Sequence, residues 1–201
     1  MLPGRLAGIE ARHQEAVGVG GHALEIADAQ LVVLCGGPGD STELLVQRFP
    51  SARIVGTDSF QAMLAAARQR LPQISFELGD IANWAPAEPV DLAYANASLQ
   101  WVPEHERLLP RLLSTLAPGG VLAVQMPDNL DEPSHTLMRD TAAALLGAPA
   151  RDADKHRARM LPAPRYDDLL TPQADVDLWR TTYCHRWTTP QPSCSGCAPP
   201  G

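Results

Sequence analysis

A glycine-rich turn that follows a short apolar run constrains the fold of this chain more than any other feature. Leu31–Leu34 is uninterruptedly apolar, as expected for a strand covered on both faces, and it leads directly into Cys35–Gly39. After the turn, Asp40 and Glu43 have the spacing of a capping box at the start of a helix. A buried strand, a glycine turn and a helix in this order predict the first unit of a parallel α/β sheet.

The same alternation of short strands and longer helical patterns continues to residue 126. Further strands are predicted at residues 53–57, 74–78, 90–96 and 121–126. Leucines between Glu104 and Leu116 repeat at helical spacing and mark one buried helix face. We therefore predict a Rossmann-like, doubly wound and mostly parallel sheet. Val176–His185 alternates as a sixth strand, and because no seventh strand is evident, we expect the sheet to be incomplete at its C-terminal end.

The sequence predicts a single domain at residues 30–187. A chain of 201 residues with 45% hydrophobic side chains can form one sizeable core. Residues 1–29 are a poorly defined N-terminal segment. Residues 188–201 are rich in proline and poor in apolar side chains, so we expect a disordered tail. In this tail, Cys194 and Cys197 could bind zinc together with Cys184 and His185, but the spacing of these four residues is unlike that of common zinc sites; we interpret the two cysteines as a chance pair and expect no bound metal.

The charge of the chain excludes some classes of partner. A net charge of -7 and a pI near 5.3 argue against broad binding to nucleic acids or anionic membranes, which requires a basic surface. The sequence also lacks an apolar run of the roughly 20 residues that span a bilayer. We therefore expect a cytoplasmic protein that binds a small molecule.

Residues that follow the predicted strands indicate which small molecule this is, because ligands of doubly wound sheets lie at the carboxyl ends of the strands. Gly37 and Gly39 let the backbone approach a ligand, and Asp58 lies about 20 residues further on, the spacing at which an acid binds ribose hydroxyls. Asp80 could accept from an adenine amino group. Each feature alone could be a tight turn or a helix cap, but their combination favours an adenosine-type cofactor. A dinucleotide site has a third glycine where Thr42 stands, and a threonine would hinder the close packing of helix on strand. An NAD-dependent oxidoreductase is therefore the runner-up.

Longer stretches of the chain resemble one enzyme family. They are Gly37–Leu45, Arg53–Ser59, Gln61–Ala65, Ala95–Trp101, Leu116–Gly120, Val124–Asn129 and Trp179–Tyr183. These stretches are similar to the trans-aconitate 2-methyltransferase family. The resemblance implies the seven-stranded class I fold that binds S-adenosylmethionine. It also implies methyl transfer to a carboxylate of trans-aconitate or a related small polycarboxylate, which yields a monomethyl ester. Because such a carboxylate is already ionised at pH 7, the reaction needs positioning more than a base.

The resemblance also suggests roles for individual residues. The cofactor would be lined by Gly37, Gly39, Asp58, Asp80, Ile81, Asn96 and Ala97. Asn96, Gln100 and Trp101 would position the reacting groups, although an indole as large as that of Trp101 is more often a core side chain or a pocket wall. Arg180, Tyr183 and His185 are candidates for binding the substrate carboxylates, with an alternating solvent face as the alternative.

The turn itself departs from the family pattern. The family has Asp-Leu-Gly-Cys before Gly-Pro-Gly, whereas Val33, Leu34, Cys35 and Gly36 stand here. In one alignment Val33 replaces the acid and Cys35 replaces a glycine; in the other the loop is one residue short. Either way a carboxylate near the methionine end of the cofactor is missing, and the chain leaves the family pattern after His185. A truncated or degenerate methyltransferase-like protein with little or no activity is therefore the alternative to an active enzyme.

Overall fold

The chain folds around one seven-stranded sheet. In the computed structural model, residues 29–146 and 160–181 are described in full, and residues 4–7 through their backbone. The strands are β1 (Gly4–Ala7), β2 (Gln30–Val33), β3 (Arg53–Asp58), β4 (Ser75–Leu78), β5 (Val90–Asn96), β6 (Leu116–Gln125) and β7 (Ala174–Asp177). The helices are α1 (Asp40–Arg48), α2 (Gln61–Arg70), α3 (His105–Leu113), α4 (Pro133–Leu146) and α5 (Ala163–Leu170), with a 3-10 turn at Leu99–Trp101.

The strand order places a ligand-binding crevice beside β2. The order is β4-β3-β2-β5-β6-β1-β7, and every neighbouring pair is parallel. The chain runs outward from β2 to β3 and β4, then returns to the other side of β2 with β5. Ligands of open α/β sheets bind at the carboxyl ends of the strands where the order reverses, here between β2 and β5. The predicted doubly wound, mostly parallel sheet is therefore confirmed.

Strand alternation gives this sheet two covered faces. Val32, Ala93 and Leu122 point into the cluster that packs against the leucines of α3, whereas Leu31 and Leu92 point into the cluster that contains Leu45 of α1. Successive strand residues face opposite sides, so a strand covered on both faces must be apolar throughout. The uninterrupted apolar run of β2 and the predicted leucine face of α3 both follow from this arrangement. None of the helices in the described ranges is long and apolar enough to cross a membrane.

The outer strands differ from the sequence-based expectation. The sheet has a seventh strand, β1, which lies parallel between β6 and β7 and comes from the N-terminal segment for which no strand is predicted. An empty position there would leave backbone N–H and C=O groups of both neighbours unpaired. The sixth predicted strand, Val176–His185, is also corrected, because β7 begins at Ala174 and ends at Asp177. Residues 182–185 of the predicted strand lie outside the described residues.

The start of α1 is a second correction. The N-cap is Gly39, with φ of 99° and no side-chain cap, so Asp40 and Glu43 do not form the predicted capping box. Both carboxylates instead bind the Arg70 guanidinium at the end of α2, Glu43 at 2.6 Å. They still lie in the first turn of α1, where negative charge interacts favourably with the helix dipole. Sequence spacing identified the helix start but not the partner of its acids.

Close packing between β3 and β4 generates the first prediction. Gly56 pairs with Phe76, and a Cβ on Gly56 would lie 2.4 Å from Cδ1 of the buried Phe76 ring. We expect Gly56→Ala to lower the free energy of unfolding by about 1–3 kcal/mol, because the ring must shift within a packed cluster. Urea unfolding followed by circular dichroism measures this. Gly79→Ala is the control, since its Cβ would meet no atom closer than 4.0 Å. Equal stability of the two variants would contradict this packing.

Candidate functional site

The glycine turn lies at the carboxyl end of β2, beside the point where the strand order reverses. Gly37 has φ of 56°, and a Cβ built there meets nothing within 4 Å, so its backbone faces open space. Gly39 has φ of 99°, and its Cβ would lie 3.5 Å from Ala67 of α2. Both positions require the left-handed conformation that favours glycine. Gly37 therefore exposes its backbone to a ligand, and Gly39 permits the turn to pack on α2.

Asp58 ties this turn to the end of β3. Its Oδ2 accepts a hydrogen bond from the Gly37 N–H at 3.0 Å, and its Oδ1 accepts one from the Phe60 N–H at 2.8 Å. The Gly36 N–H donates to the Thr57 carbonyl at 2.9 Å. Asp58 is 5% exposed, and a buried carboxylate needs such partners to stay charged. The acid predicted to bind ribose is thus also the anchor of the turn.

The loop after β4 forms the adjacent wall. The exposed Asp80 accepts the Ala82 N–H at Oδ1, at 2.9 Å, and Ile81 is buried. Arg111 of α3 donates to the Ile81 carbonyl at 2.6 Å and also to the Trp84 carbonyl. The guanidinium can donate to both because it presents several N–H groups in one plane. Sequence reasoning missed Arg111, since nothing in its spacing indicates that it reaches a loop about 30 residues earlier.

Cys35 follows β2, and the charges of both acids act on its thiol. Its backbone has φ of 53°, a conformation that residues other than glycine rarely adopt. Burial, followed by the nearby charges of Asp58 and Asp80, raises the pKa of the Cys35 thiol from its ordinary value of 9.0 to about 11. The backbone of Ile81 lowers the pKa of the thiol by a smaller amount. The thiol is therefore neutral at pH 7.

The turn after β5 completes the crevice. The Asn96 side chain donates to the Ser41 hydroxyl of α1 at 3.2 Å, and Ala97 has φ of 50°. Gln100 is buried and donates through Nε2 to the Ala97 carbonyl at 2.6 Å, whereas its Oε1 has no hydrogen-bond partner among the described residues. Trp101 is 59% exposed and is therefore not part of the core. Asn96 and Ala97 thus share one turn with Gln100, opposite the start of α1.

A buried hydrogen-bond chain supports that turn from behind. His105 of α3 contacts the Leu99 carbonyl through Nε2 at 2.8 Å and the Tyr166 hydroxyl through Nδ1 at 2.6 Å. Because a carbonyl can only accept, Nε2 carries the proton of the neutral ring and the Tyr166 hydroxyl donates to Nδ1. The Leu161 N–H donates in turn to the Tyr166 oxygen at 3.1 Å. Sequence reasoning missed both His105 and Tyr166, because their pairing depends on how α3 and α5 pack.

The three predicted substrate-binding residues are only partly described. Arg180 follows β7, and its guanidinium lies 3.5 Å from Asp128 and 3.7 Å from Glu132, in the segment after β6. The arginine is thus near the carboxyl edge of the sheet and largely exposed, with two acidic neighbours. Tyr183 and His185 lie outside the described residues, as do Cys194 and Cys197. Only Arg180 can therefore be related to the site.

Comparison with known proteins gives consistent results. Residues 32–120 match the family described as a methyltransferase domain. The chain is 59% identical over 160 residues to trans-aconitate 2-methyltransferase of Variovorax paradoxus (strain S110), covering 78% of this chain and 62% of that protein. It is 56% identical over 159 residues to the enzyme of the same name from Yersinia pestis (strain Pestoides F), covering 78% and 60%. The chain thus spans about three-fifths of the length of these relatives.

Solved structures support the fold. The plantazolicin methyltransferase BpumL in complex with SAH superposes with a TM-score of 0.52 at 16% identity, covering 74% of this chain and 56% of that chain. In its complex with a pentazolic desmethylPZN analog and SAH, the TM-score is 0.51 at 15% identity, with the same coverage. At such low identity the likeness concerns the fold alone. The open sheet of this chain is similar to the sheet of these solved methyltransferases.

The environment of Cys35 generates the second prediction. In a variant with Cys184, Cys194 and Cys197 replaced by serine, we expect the rate of alkylation by iodoacetamide to keep rising with pH until about 11. The reason is that the neutral thiol persists in the folded protein above the ordinary pKa of 9.0. Mass spectrometry of samples quenched between pH 7 and pH 11.5 measures the rate.

The same variant in urea is the control for this measurement. Its alkylation rate should level off near the ordinary pKa of a thiol, because unfolding removes both burial and the two nearby charges. A folded protein whose rate also levels off near pH 9 would contradict the described environment of Cys35.

Proposed function

We propose that this chain carries a methyltransferase domain of the class I fold and that it transfers a methyl group from S-adenosylmethionine to a carboxylate of a small polycarboxylate such as trans-aconitate. The observation that carries the proposal is the placement of Gly37, Asp58 and Asp80 around one crevice, at the carboxyl ends of three neighbouring strands. The names of the two relatives supply the expected substrate class.

Several features of the crevice fit this cofactor. Asp58 uses one lone pair on each carboxylate oxygen for a backbone N–H, which leaves the second lone pair of each oxygen for ribose hydroxyls. Asp80 offers a carboxylate to an adenine amino group, next to the buried Ile81. The open space beside Gly37 admits the part of the ligand that passes the turn. Asn96 and Ala97 would line the methionine end.

The proposed chemistry demands little acid–base catalysis from the protein. The bound cofactor supplies an electrophilic methyl group on a sulfonium. A carboxylate with a reference pKa near 4 is already a nucleophile at pH 7 and needs no base. In agreement with a reaction that needs no base, both ring nitrogens of the buried His105 are used in hydrogen bonds, with the Leu99 carbonyl and the Tyr166 hydroxyl. The protein would act by holding oxygen, methyl carbon and sulfur in line, an effect that can lower the barrier by about 7–11 kcal/mol.

The Asn96–Trp101 turn would provide this alignment. Asn96 is attached to α1 through Ser41, and the Leu99 carbonyl is attached to α3 through His105. The buried Gln100 connects the two attachment points by its hydrogen bond to the Ala97 carbonyl. Trp101, largely exposed beside them, would form a wall of the substrate pocket. A turn braced on both sides loses little conformational freedom when substrate binds, which favours a reactive geometry.

Localisation and partners belong to the same proposal. We place the protein in the cytoplasm, in keeping with the free thiol of Cys35, since reducing compartments preserve free cysteines. Its partners would be the cofactor and a small polyanion rather than nucleic acid or membrane, as the net charge of -7 favours.

Binding of S-adenosylhomocysteine tests the proposal most directly. We expect calorimetry to detect binding, and labelled S-adenosylmethionine to methylate trans-aconitate but not acetate. We expect Asp58→Asn to weaken binding about tenfold or more, because charge-assisted hydrogen bonds contribute about 1.5–3 kcal/mol. Asp91→Asn is the matched control: Asp91 also accepts a backbone N–H, from Gln30 at 2.8 Å, but at the opposite edge of the sheet.

The outcomes separate the alternatives. Binding of S-adenosylhomocysteine without methyl transfer would support a degenerate methyltransferase-like protein. Binding of NAD but not of S-adenosylhomocysteine would favour the oxidoreductase. No affinity for S-adenosylhomocysteine in a folded chain would overturn the proposed function.

Arg180 generates the fourth prediction, because its guanidinium lies beside two acids of the segment after β6. We propose that it exchanges Asp128 and Glu132 for a substrate carboxylate. Arg180→Met should then raise KM for trans-aconitate about tenfold or more with a smaller change in kcat, since a charge-assisted hydrogen bond to the substrate is lost. Arg165→Met is the control, because Arg165 is similarly exposed and pairs with Glu106 on the back of the domain. An unchanged KM in steady-state assays would exclude Arg180 from substrate binding.

A further inference from the structure

Side chains of helix α3 reach both walls of the crevice. Arg111 donates to the Ile81 carbonyl at 2.6 Å and to the Trp84 carbonyl, both in the loop after β4. His105 contacts the Leu99 carbonyl through Nε2 at 2.8 Å, in the turn after β5. One helix of 9 residues therefore holds, through two side chains, the two segments that carry several of the predicted cofactor-binding residues.

The loop after β4 is attached to the domain at both ends. Its internal hydrogen bonds are local: the Asp80 carboxylate accepts the Ala82 N–H, and the Asp80 carbonyl accepts the Asn83 N–H, each at 2.9 Å. These bonds shape the loop without attaching it to another element. The Gly79 N–H attaches the start of the loop by donating to the last carbonyl of β3 at 3.0 Å. At its other end, the loop is attached to α3 through Arg111.

The turn after β5 has the same kind of double attachment. At its start, the Ala97 N–H donates to a carbonyl of β6 at 2.9 Å. Further along, the Leu99 carbonyl accepts from the Val102 N–H at 2.9 Å and from Nε2 of His105. The Tyr166 hydroxyl occupies the other ring nitrogen of His105, so the neutral ring presents its N–H to the turn. The position of this turn thus depends on a side chain of α3.

We propose that Arg111 and His105 are positioning residues with separate roles: Arg111 fixes the adenine wall and sets the affinity for the cofactor, whereas His105 fixes the turn at the methyl end and sets the rate of methyl transfer. The inference rests on the proposed function. Contacts with adenine are the same before and during methyl transfer, so weakening them alters binding rather than kcat. Alignment at the methyl end acts on the reaction itself, so a displaced turn lowers kcat.

Two substitutions of Arg111 test the first role. Calorimetry should show that S-adenosylhomocysteine binds about tenfold or more weakly to Arg111→Met, because the loop loses two hydrogen bonds from a charged donor. Arg111→Lys keeps a charged donor for one carbonyl and should weaken binding less. At saturating cofactor, both variants should keep the kcat of the unmodified chain. Arg107→Met is the matched control and should change neither parameter, since Arg107 lies on the same helix, largely exposed and paired with Glu104.

Two substitutions of His105 test the second role. His105→Leu removes the donor to the Leu99 carbonyl, whereas His105→Gln can place an amide N–H near the position of Nε2. Assays with labelled S-adenosylmethionine should show kcat lowered roughly 10- to 100-fold in His105→Leu, as expected for a displacement of up to about 1 Å at the reacting groups. His105→Gln should recover most of this loss. The affinity for S-adenosylhomocysteine should stay the same in both variants.

Amide hydrogen exchange measures the two attachments without depending on turnover. In ¹⁵N-labelled protein, exchange of the Asn83 amide in the loop should accelerate in Arg111→Met but not in His105→Leu. Exchange of the Val102 amide, which donates to the Leu99 carbonyl, should accelerate in His105→Leu but not in Arg111→Met. A merely structural role would act through global stability, which would accelerate both amides in either variant.

The outcomes separate this inference from the proposed function. Variants that change the same kinetic parameter, or that accelerate both amides alike, would overturn the inference and leave the proposed function intact. Binding of S-adenosylhomocysteine by the unmodified chain without methyl transfer would overturn the role of His105 in the rate. No binding by the folded, unmodified chain would overturn the proposed function, and this inference with it.

Discussion

The arrangement of the crevice depends on the buried carboxylate of Asp58. It accepts N–H groups from Gly37 in the turn and from Phe60 before α2, so it connects β2, β3 and the start of α2 through one charged group. A carboxylate that is 5% exposed is stable only with such donors. Under the proposed function, the same residue would hold the turn in place and offer its remaining lone pairs to the ribose. The geometry of the turn and the affinity for the cofactor would then be coupled through it.

Sequence reasoning predicted the parts of the fold that local patterns determine. The apolar run of β2 follows from its coverage on both faces, and the glycines of the turn follow from its positive φ angles. The leucine face of α3 follows from helical spacing. The positions of Asp58 and Asp80 followed because parallel strands bring their carboxyl ends to one edge. Their environment in the crevice was therefore predictable from topology alone, without any contact being known.

The remaining features depend on contacts between distant segments. β1 joins the sheet because β6 and β7 leave a position between them, and a four-residue strand carries too little pattern for detection. Arg111 reaches the Ile81 carbonyl, and His105 reaches Tyr166, only because α3 packs between the loop after β4 and α5. Sequence reasoning likewise did not predict the partner of Asp40, because Arg70 lies on another helix. Such pairs are products of tertiary packing, which periodicity does not encode.

The two departures from the family pattern have different physical consequences. Val33 is 1% exposed and packs in the core beside Leu31 and Tyr94, so in this register an ionised acid would have to be buried among apolar side chains. The valine is thus consistent with the packing around it. Cys35 instead follows the end of β2 in a backbone conformation suited to glycine, where the charges of Asp58 and Asp80 act on its thiol. Of the two residues, Val33 contributes to the packing of the domain, whereas Cys35 lies in the turn that we propose to approach the cofactor.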